Sequence, residues 1–363
     1  MQDLTPRVER GLPGPELVVA GAGMAGLAAA ARARELGAAV LVHEKGDRPG
    51  GSMLLSSGVV WRYRDWERFR AECPRGDPEL QEIVWEGLDE ALRWLEGLGV
   101  PVVARETGNP LTTGLRFDPC GLTDALLRRA GEVRLGEPLA ELPAGVPAVL
   151  ATGGFQGDRS LVRERITPEA DSLVLRANPW SSGDGLRLAV QRGAELSTGL
   201  DEFYGRNLAA APRIGPGQFV ELAQVYAGHG TVENLDGVPY EPLTWSEIDV
   251  VQWTARQPGA RARYLVPDEA LDAPVRERTV RDVIAAAERA GAPVQRRAGV
   301  TAVEVVAGIT TTLGGIKIDG RARAADGLYA AGADAGGIST GGWSSALASA
   351  LVFGKLAGES AVT

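Results

Sequence analysis

Residues 16–46 read "ELVVAGAGMAGLAAAARARELGAAVLVHEKG" and decide the fold class. A short apolar run, Leu17 to Ala20, precedes a glycine-rich turn, an alanine-rich segment and a second apolar run that ends in Glu44. This pattern predicts strand, turn, helix and strand in a parallel βαβ unit, with Glu44 placed where a carboxylate accepts ribose hydroxyls. The expected fold class is therefore α/β, built around a Rossmann-like unit.

Small residues occupy the turn between the first strand and the helix. Gly21 makes the tight turn, Gly23 lets the backbone approach a pyrophosphate, and Gly26 lets the helix pack closely on the strand. Met24 and Ala25 begin the helix, whose N-terminus carries a partial positive charge that suits an anion. The turn therefore predicts a bound dinucleotide.

Three further segments help to decide between the two common dinucleotide cofactors, FAD and NAD. "EKGDRPGGSMLLSSG" (44–58), "VPAVLATGGF" (146–155) and "DGLYAAGADAGG" (326–337) each place glycine or serine residues after an apolar run. Several strand ends that converge on one cofactor favour FAD over NAD. The sequence contains no second GxGxxG, so a built-in NAD(P)H domain is not expected.

Residues of these segments and of the final glycine- and serine-rich loop are predicted to contact FAD. Small side chains at 344–346 let the backbone approach the pyrimidine edge of the flavin, and the helix that follows favours negative charge there. The acidic residue that often follows "AAG" in flavoproteins corresponds in frame to Ala333, one position before Asp334, so both remain alternatives. Beyond the first turn, the predicted contacts are Glu44, Lys45, Gly50, Gly51, Ser52, Ser56, Ser57, Gly58, Ala151, Thr152, Gly153, Gly332, Ala333, Asp334, Ser344, Ser345, Ala346 and Leu347.

Composition excludes several classes of function. The 363 residues carry a formal net charge of -9, which argues against a nucleic-acid partner. Cys73 and Cys120 form no metal, iron–sulfur or haem motif, so no metal site is predicted and electrons are expected from an external donor or acceptor. The apolar runs are shorter than the ~20 residues of a membrane span, and the polar N-terminal segment has no apolar signal core. We therefore expect a cytoplasmic protein without a membrane span.

Ordered motifs along the chain give a family resemblance. They are "GAGMAG", "EKGDRPGGS", "ATGGF", "SSGDGLRLAVQRGAEL", "TTLGGIKID", "GLYAAGADAGG" and "ALVFGKLAGE". The chain resembles the FAD-binding group of fumarate reductase and succinate dehydrogenase flavoprotein subunits, in particular the branch of 3-ketosteroid Δ1-dehydrogenases. The resemblance implies a discontinuous FAD-binding domain, 1–157 and 300–363, with an α+β capping domain inserted at 158–299.

The same resemblance implies a type of reaction. In such enzymes the flavin exchanges a hydride with one carbon while a protein group moves a proton at the neighbouring carbon. The substrate lies between the cap and the isoalloxazine. FAD is expected to be non-covalent, because the histidine that some relatives use for covalent attachment has no counterpart near "GGSMLLSSG".

This sequence departs from the fumarate reductases at their substrate positions. The cap segment "DGVPYEPLTWSEID" (236–249) lacks the arginine that donates a proton, Thr311 stands where a histidine is usual, and "ISTGGWSS" lacks the arginine that holds a carboxylate. A dicarboxylate without these partners would be costly to bury. We therefore expect a neutral or singly charged substrate, cyclic or apolar, and no fumarate reduction.

Four residues are candidates for catalysis. Tyr204 and Arg206 fall where the reductases place a substrate histidine, and a neighbouring arginine lowers the pKa of a tyrosine. His229 is a second candidate acid or base, and Trp343 offers a flat wall to the substrate. The cap segment also contains Tyr226, Tyr240 and Tyr264. For each cap tyrosine, Tyr204 included, the alternative to a catalytic role is a packed ring with its hydroxyl satisfied.

The expected reaction is desaturation of a ketone beside its carbonyl or reduction of the corresponding enone. Two alternatives stay open. One is a flavin-bound isomerase or hydratase without net redox chemistry, and the other is a non-catalytic flavin-binding protein. Neither the direction of the reaction nor the electron partner follows from the residues.

Overall fold

The computed structural model describes residues 14–244 and 246–363. Its strands are β1 (Leu17–Ala20), β2 (Val40–Glu44), β3 (Val59–Tyr63), β4 (Val102–Ala104), β5 (Thr112–Phe117), β6 (Glu132–Leu135), β7 (Ala148–Leu150), β8 (Val174–Leu175), β9 (Phe203–Ala209), β10 (Thr231–Asn234), β11 (Arg261–Pro267), β12 (Pro274–Val275), β13 (Arg278–Thr279), β14 (Val294–Arg297), β15 (Val300–Thr312), β16 (Arg323–Ala325) and β17 (Leu328–Ala330). Its α-helices are α1 (Met24–Glu35), α2 (Trp66–Glu72), α3 (Pro78–Gly97), α4 (Pro119–Ala130), α5 (Arg159–Arg165), α6 (Asp184–Gln191), α7 (Ile248–Ala255), α8 (Val280–Arg289) and α9 (Ala346–Val362).

The first sheet collects strands from both ends of the chain, in the order β16-β17-β7-β1-β2-β6. β1 pairs in parallel with β2 and with β7, and β7 pairs in parallel with β17. All four residues of β1 are buried, as expected for a central parallel strand with both faces covered. The carboxyl ends of β1, β2, β7 and β17 therefore meet at one edge of the sheet, where α/β proteins bind ligands.

Helix α1 packs on β1 and β2 of this sheet and against α9. Its alanine-rich sequence is explained by close packing, because a Cβ added at Gly354 of α9 would lie 2.6 Å from the Ala25 carbonyl oxygen. A Cβ at Gly358 would lie 2.3 Å from the Ala29 carbonyl oxygen. The C-terminal helix is thereby fixed against the first helix and runs parallel to it, with Gly354 beside the start of α1.

The second sheet is built from the middle of the chain around β15. Its order is β10-β11-β15-β14, and β8 and β9 also pair with β15. A separate apolar core that includes Val232, Tyr264, Val283 and Val303 lies beneath it. The discontinuous α/β layout predicted from the sequence thus appears as one sheet from the chain ends and one from the middle.

Strand β15 bears on the predicted domain limits. It pairs antiparallel with β14, from Val294↔Val303 to Arg297↔Val300, and with β11 along its length. The limit predicted at 299/300 therefore falls between two paired strands of one sheet.

Two smaller elements complete the site-bearing part of the fold. β3, β5 and β4 form an antiparallel sheet, and β12 and β13 form a hairpin whose turn is residues 276–277. No helix within the described ranges is both long and apolar enough to cross a membrane.

Candidate functional site

The glycine turn after β1 is shaped by close backbone packing. Gly21 has a φ of 104°, and a Cβ there would lie 2.2 Å from the Ala151 carbonyl oxygen. A Cβ at Gly26 would lie 1.8 Å from the Gly21 carbonyl oxygen, whereas a Cβ at Gly23 would meet nothing within 4 Å. Gly21 and Gly26 are thus required by the protein's own packing, and Gly23 faces open space.

A second glycine turn lies against the first. The Gly50 N–H donates to the Ala22 carbonyl over 2.7 Å, and a Cβ at Gly51 would lie 3.3 Å from Gly23 Cα. Helix α1 begins here, with Gly23 as its N-cap and no acidic side chain in its first turn. Its N-terminal partial charge therefore remains available to an anion, and Met24 and Ala25 lie at this end.

Glu44 ends β2 beside the same turn and is buried. One carboxylate oxygen accepts from the Ala22 N–H over 2.7 Å and the other from the Gly46 N–H over 2.6 Å. A carboxylate has about four acceptor positions, so it retains capacity for ribose hydroxyls. Two backbone N–H groups thus fix the orientation of the Glu44 carboxylate.

Other predicted contact residues use their side chains to fix loops. Lys45 pairs with Asp184 over 2.8 Å, and the Ser52 hydroxyl accepts from the Asn178 amide over 2.8 Å. The Ser56 hydroxyl donates to the Met53 carbonyl. The side chains of Lys45, Ser52 and Ser56 are thus engaged within the protein.

Gly58 and Gly153 have structural reasons to be glycine. Both have positive φ, at 70° and 96°. A Cβ at Gly58 would lie 2.0 Å from the Phe117 carbonyl oxygen, and one at Gly153 would lie 2.5 Å from the Ser181 hydroxyl. Each glycine therefore lets a loop pass close to a neighbouring segment at the ligand-binding edge.

Asp334 locks the carboxyl ends of β7 and β17 together. Its buried carboxylate accepts from the Thr152 N–H over 2.5 Å, from the Gly154 N–H over 2.9 Å and from the Thr152 hydroxyl. Burial raises the pKa of Asp334 despite these hydrogen bonds. Of the two alternatives for the acidic contact, Asp334 is thus engaged internally, and Ala333 has no polar side chain.

Gly332 and the start of α9 close the edge from the other side. A Cβ at Gly332, whose φ is 67°, would lie 3.0 Å from Ala25 Cβ. Ser345 caps α9 by accepting from the Ala348 N–H over 3.2 Å. The helix begins at Ala346, with Leu347 packed against the main core. Two N-terminal helix ends therefore point into one region.

The residues present fit FAD. Gly23 leaves open space at a helix N-terminus, Gly51 lies against it, and Glu44 is oriented by two backbone amides. The Thr312 hydroxyl, 2.5 Å from the position of a Cβ at Gly154, is buried without a hydrogen-bond partner in the described part of the chain. The Thr340 hydroxyl has the same property. Buried polar atoms left unpaired are typical of a site completed by a ligand.

Tyr204 and Trp343 stack directly. Their ring centroids lie 3.6 Å apart with the planes inclined by 14°. Ile248, Leu313 and Trp61 pack around the pair. The stack joins β9 of the second sheet to the loop before α9.

Two further contacts hold the Trp343 loop. The Tyr63 hydroxyl donates to the Trp343 carbonyl over 2.6 Å. The buried Glu202 carboxylate accepts from the Gly341 N–H over 2.6 Å and pairs with Arg75 over 3.0 Å. The position of Trp343 is therefore fixed by β3 and by the start of β9.

Arginines approach Tyr204 from two strands of the second sheet, β8 and β9, and from the β12–β13 hairpin. Tyr204 and Arg206 are two residues apart on β9, so their side chains share one face, and the Arg206 guanidinium lies 5.1 Å from the Tyr204 ring centroid. Arg176 follows β8, hydrogen-bonds to Tyr204 and donates to the Thr310 hydroxyl over 2.9 Å. Arg276 lies in the β12–β13 turn.

The charges around Tyr204 act against its burial. Burial raises its pKa, but the guanidiniums of Arg206, Arg176 and Arg276 outweigh that effect, so the pKa is lowered from the ordinary value. Burial lowers the pKa of Arg176 and of Arg276 as well. A tyrosine hydroxyl with a lowered pKa is suited to moving a proton near neutral pH.

Glu247 is the acidic residue of this cluster. It has a φ of 61°, and burial raises the pKa of its carboxyl despite the nearby Arg206 and the backbone amides of Gly228 and Ala227. Residues 226–229 therefore lie over Glu247, but His229 itself is exposed. The structure does not bring the His229 side chain together with Tyr204 and Trp343.

The remaining cap tyrosines have partners elsewhere. Tyr226 donates to Gln224 over 2.7 Å, Tyr264 accepts from Asn207 over 3.2 Å, and Tyr240 hydrogen-bonds to Asp249. Burial raises the pKa of all three. Tyr204 thus differs from them in the direction of its shift.

Sequence reasoning missed Arg176, Arg276 and Glu247. The sequence lacks arginines at the two substrate positions of the reductases, but these guanidiniums reach Tyr204 from other elements. No local motif marks them, because they are far apart in sequence and meet only when β8, β9 and the β12–β13 turn assemble. The spacing of Tyr204 and Arg206 along a strand was the available signal.

Comparison with known proteins gives one family match. The family described as "FAD binding domain" matches residues 16–133 and 143–345. Among curated proteins, the chain is 23% identical to a "Probable fumarate reductase Ifc3" of Shewanella frigidimarina, over 95% of this chain and 74% of that protein. It is 25% identical to a "Vinyl phenol reductase" of Lactiplantibacillus plantarum, but over only 52% of this chain and 48% of that protein.

Solved structures share the fold. A 3-ketosteroid-Δ4-(5α)-dehydrogenase from Rhodococcus jostii RHA1 aligns with a TM-score of 0.73 and 19% identity, covering 98% of each chain. The open conformation of a flavocytochrome c3 fumarate reductase aligns with a TM-score of 0.71 and 21% identity, over 96% of this chain and 78% of that one. These similarities confirm the predicted fold class.

Proposed function

The chain belongs to the FAD binding domain family and is an FAD-dependent oxidoreductase, and on this premise we propose that it acts on a carbon–carbon bond beside a carbonyl. FAD is the cofactor expected from the sequence, and the family match confirms it. The proposed reaction is desaturation of a ketone or reduction of an enone. The finer placement, in the branch that resembles ketosteroid dehydrogenases, is part of the proposal.

The observation that carries the proposal is the Tyr204 hydroxyl beside Trp343. Bound FAD would supply the acceptor or donor of a hydride. Tyr204 would donate or accept the proton at the neighbouring carbon, since the surrounding guanidiniums lower its pKa. Trp343 would orient a flat substrate beside the Tyr204–Trp343 stack. Arg206 would keep the pKa of the Tyr204 hydroxyl low.

A carbonyl activated for this reaction needs hydrogen-bond donors. The loop of residues 339–342 offers backbone N–H groups and hydroxyls, and the Thr340 hydroxyl is buried without a partner in the described ranges. We propose that donors of this loop polarise the substrate oxygen. Glu202 would act as a positioning residue, because it holds the Gly341 N–H.

We propose that the predicted residues contact FAD and that different groups of them hold different parts of the cofactor. The open glycine Gly23, the α1 N-terminus and Glu44 would hold the pyrophosphate and ribose. Backbone groups of 50–58, 151–153 and 332–334 would line the rest, and residues 344–347 would approach the flavin through the N-terminus of α9. Attachment would be non-covalent.

Domain limits follow from the two sheets. We propose that the cap is inserted after residue 157, as predicted. Since β15 pairs with β14 and β11, we propose that the second FAD-binding segment begins after Thr312 rather than at residue 300.

The experiment is anaerobic mixing of the FAD-loaded protein with a panel of cyclic ketones and enones. Bleaching of oxidised flavin by a ketone, or reoxidation of chemically reduced flavin by an enone, supports the proposal. If no member changes the flavin spectrum but one is isomerised or hydrated, the non-redox alternative is favoured. Release of all flavin on denaturation supports non-covalent binding.

A further inference from the structure

We propose that Arg176, Arg206 and Arg276 form a binding subsite for a single oxyanion, a carboxylate on an otherwise apolar substrate. The inference rests on the proposed function and refines its substrate class. The three guanidiniums come from three separate elements and meet around Tyr204. The acidic residue that accompanies them is Glu247.

The charges of the three arginines are not balanced by neighbouring carboxylates of the described residues. Within residues 14–244 and 246–363, none of the three guanidiniums has a carboxylate oxygen within 4.0 Å, although many surface arginines do. Glu247 interacts with Arg206 and Arg276 at longer range. Three cations and at most one anion leave this region positively charged. Arg276 is exposed, whereas Arg176 and Arg206 are half-buried and keep only part of their hydration.

The guanidiniums of the cluster have N–H donors that no described protein acceptor uses. Arg176 donates one N–H to Thr310, and its Nε is buried without a partner in the described part of the chain. Arg206 donates to the Ser246 carbonyl over 3.1 Å. A guanidinium carries five N–H donors in a planar fork that matches a carboxylate. The cluster therefore has donors left for a bound oxyanion.

The apolar residues near Tyr204 limit the bound ligand to one negative charge. Tyr204 also packs against an apolar cluster formed by Trp343, Leu313 and Ile248, all buried. A second carboxylate placed there would be an unpaired buried charge. The arginine cluster and the apolar cluster together favour a monocarboxylate with a flat apolar body over a dicarboxylate such as fumarate.

The test uses cinnamate, its neutral analogue cinnamamide, and fumarate, with calorimetric binding to the FAD-loaded protein. Cinnamate is expected to bind at least about tenfold more tightly than cinnamamide and more tightly than fumarate. Arg276→Gln and Arg206→Gln are expected to weaken cinnamate binding by about tenfold and leave cinnamamide binding unchanged.

The control variant is Arg278→Gln, on the same hairpin as Arg276. It is expected to bind all three compounds as the unchanged protein does, and all variants are expected to retain FAD affinity. Equal binding of cinnamate and cinnamamide, tighter binding of fumarate, or a loss of FAD affinity in Arg276→Gln would overturn the subsite. Selective cinnamate binding without any redox change of the flavin would leave the subsite standing and count against the proposed reaction.

Discussion

The rings of Tyr204 and Trp343 stack at a centroid distance of 3.6 Å, joining a strand of the second sheet to the loop before the last helix. This contact places a tyrosine of lowered pKa beside a flat aromatic wall. It also links the substrate side of the site to α9, whose N-terminus belongs to the proposed flavin site. The predictions below start from this stack.

Replacing Trp343 tests the stack itself. Trp343→Ala removes a buried aromatic and is expected to lower the free energy of unfolding by about 3 kcal/mol. Trp343→Phe keeps a ring in place and is expected to cost less than about 2 kcal/mol. Urea denaturation of the FAD-free protein measures both. Equal stability of the unchanged protein and Trp343→Ala would show that the stack contributes nothing.

The pH profile tests the charges around Tyr204. In the reducing direction the protonated hydroxyl is the active form, so the rate falls as pH rises through the pKa of Tyr204. Burial raises that pKa, but the guanidiniums of Arg206, Arg176 and Arg276 lower it by more, so the alkaline limb lies below the ordinary tyrosine value of about 10.

Arg206→Gln removes one of these charges. The pKa of Tyr204 is then expected to rise, which moves the alkaline limb to higher pH by roughly one unit. The measurement is the rate of flavin reoxidation as a function of pH, with Arg278→Gln as the control. An alkaline limb that moves to lower pH in Arg206→Gln would contradict the assignment of that limb to Tyr204.

Two glycines of the first turn are expected to respond differently to alanine. Gly26→Ala forces a Cβ to within 1.8 Å of the Gly21 carbonyl oxygen, so the FAD-free protein is expected to lose several kcal/mol of stability or fail to fold. Gly23→Ala meets no protein atom within 4 Å, so it is expected to fold normally but bind FAD at least about tenfold more weakly.

Thermal unfolding and FAD titration separate these two outcomes. Gly97→Ala, at another open glycine position, is the control and is expected to change neither property. Undiminished FAD affinity in Gly23→Ala would place the pyrophosphate elsewhere.

Asp334 is expected to stabilise the protein without FAD. Asp334→Ala leaves the N–H groups of Thr152 and Gly154 without their acceptor, at a cost of about 1–3 kcal/mol for each buried group. Chemical denaturation of the FAD-free protein measures this loss. If Asp334→Ala weakened FAD binding while apoprotein stability stayed unchanged, Asp334 would be a cofactor ligand instead.

Much of the proposed cofactor site could be assembled from the sequence because its residues are local. Gly21, Gly23 and Gly26 have fixed spacing within one turn, and Glu44 ends the next strand. The hydrogen bonds of Asp334 were less accessible, because they join two strands about 180 residues apart. Sequence placed Asp334 near the cofactor but left its partners undetermined.

Among the candidate catalytic residues, only a pair on one strand could be expected from the sequence to lie together. Tyr204 and Arg206 share one face of β9 through the two-residue period of a strand. Arg176 and Arg276 could not be found this way, because their approach depends on how β8 and the β12–β13 turn lie around β15. His229 was a candidate acid or base because it is a histidine, but its side chain is exposed in a turn.

The central claim is that Tyr204 moves a proton in a flavin-dependent reaction, and one comparison tests it most directly. The reduced, FAD-loaded protein and its Tyr204→Phe variant are mixed anaerobically with an enone that reoxidises the unchanged protein, and flavin reoxidation is followed by stopped flow. The phenyl ring retains the stack on Trp343, so FAD binding should be unchanged while reoxidation slows by about 10²–10⁴-fold. Equal rates in the two proteins, with equal FAD content, would contradict the account.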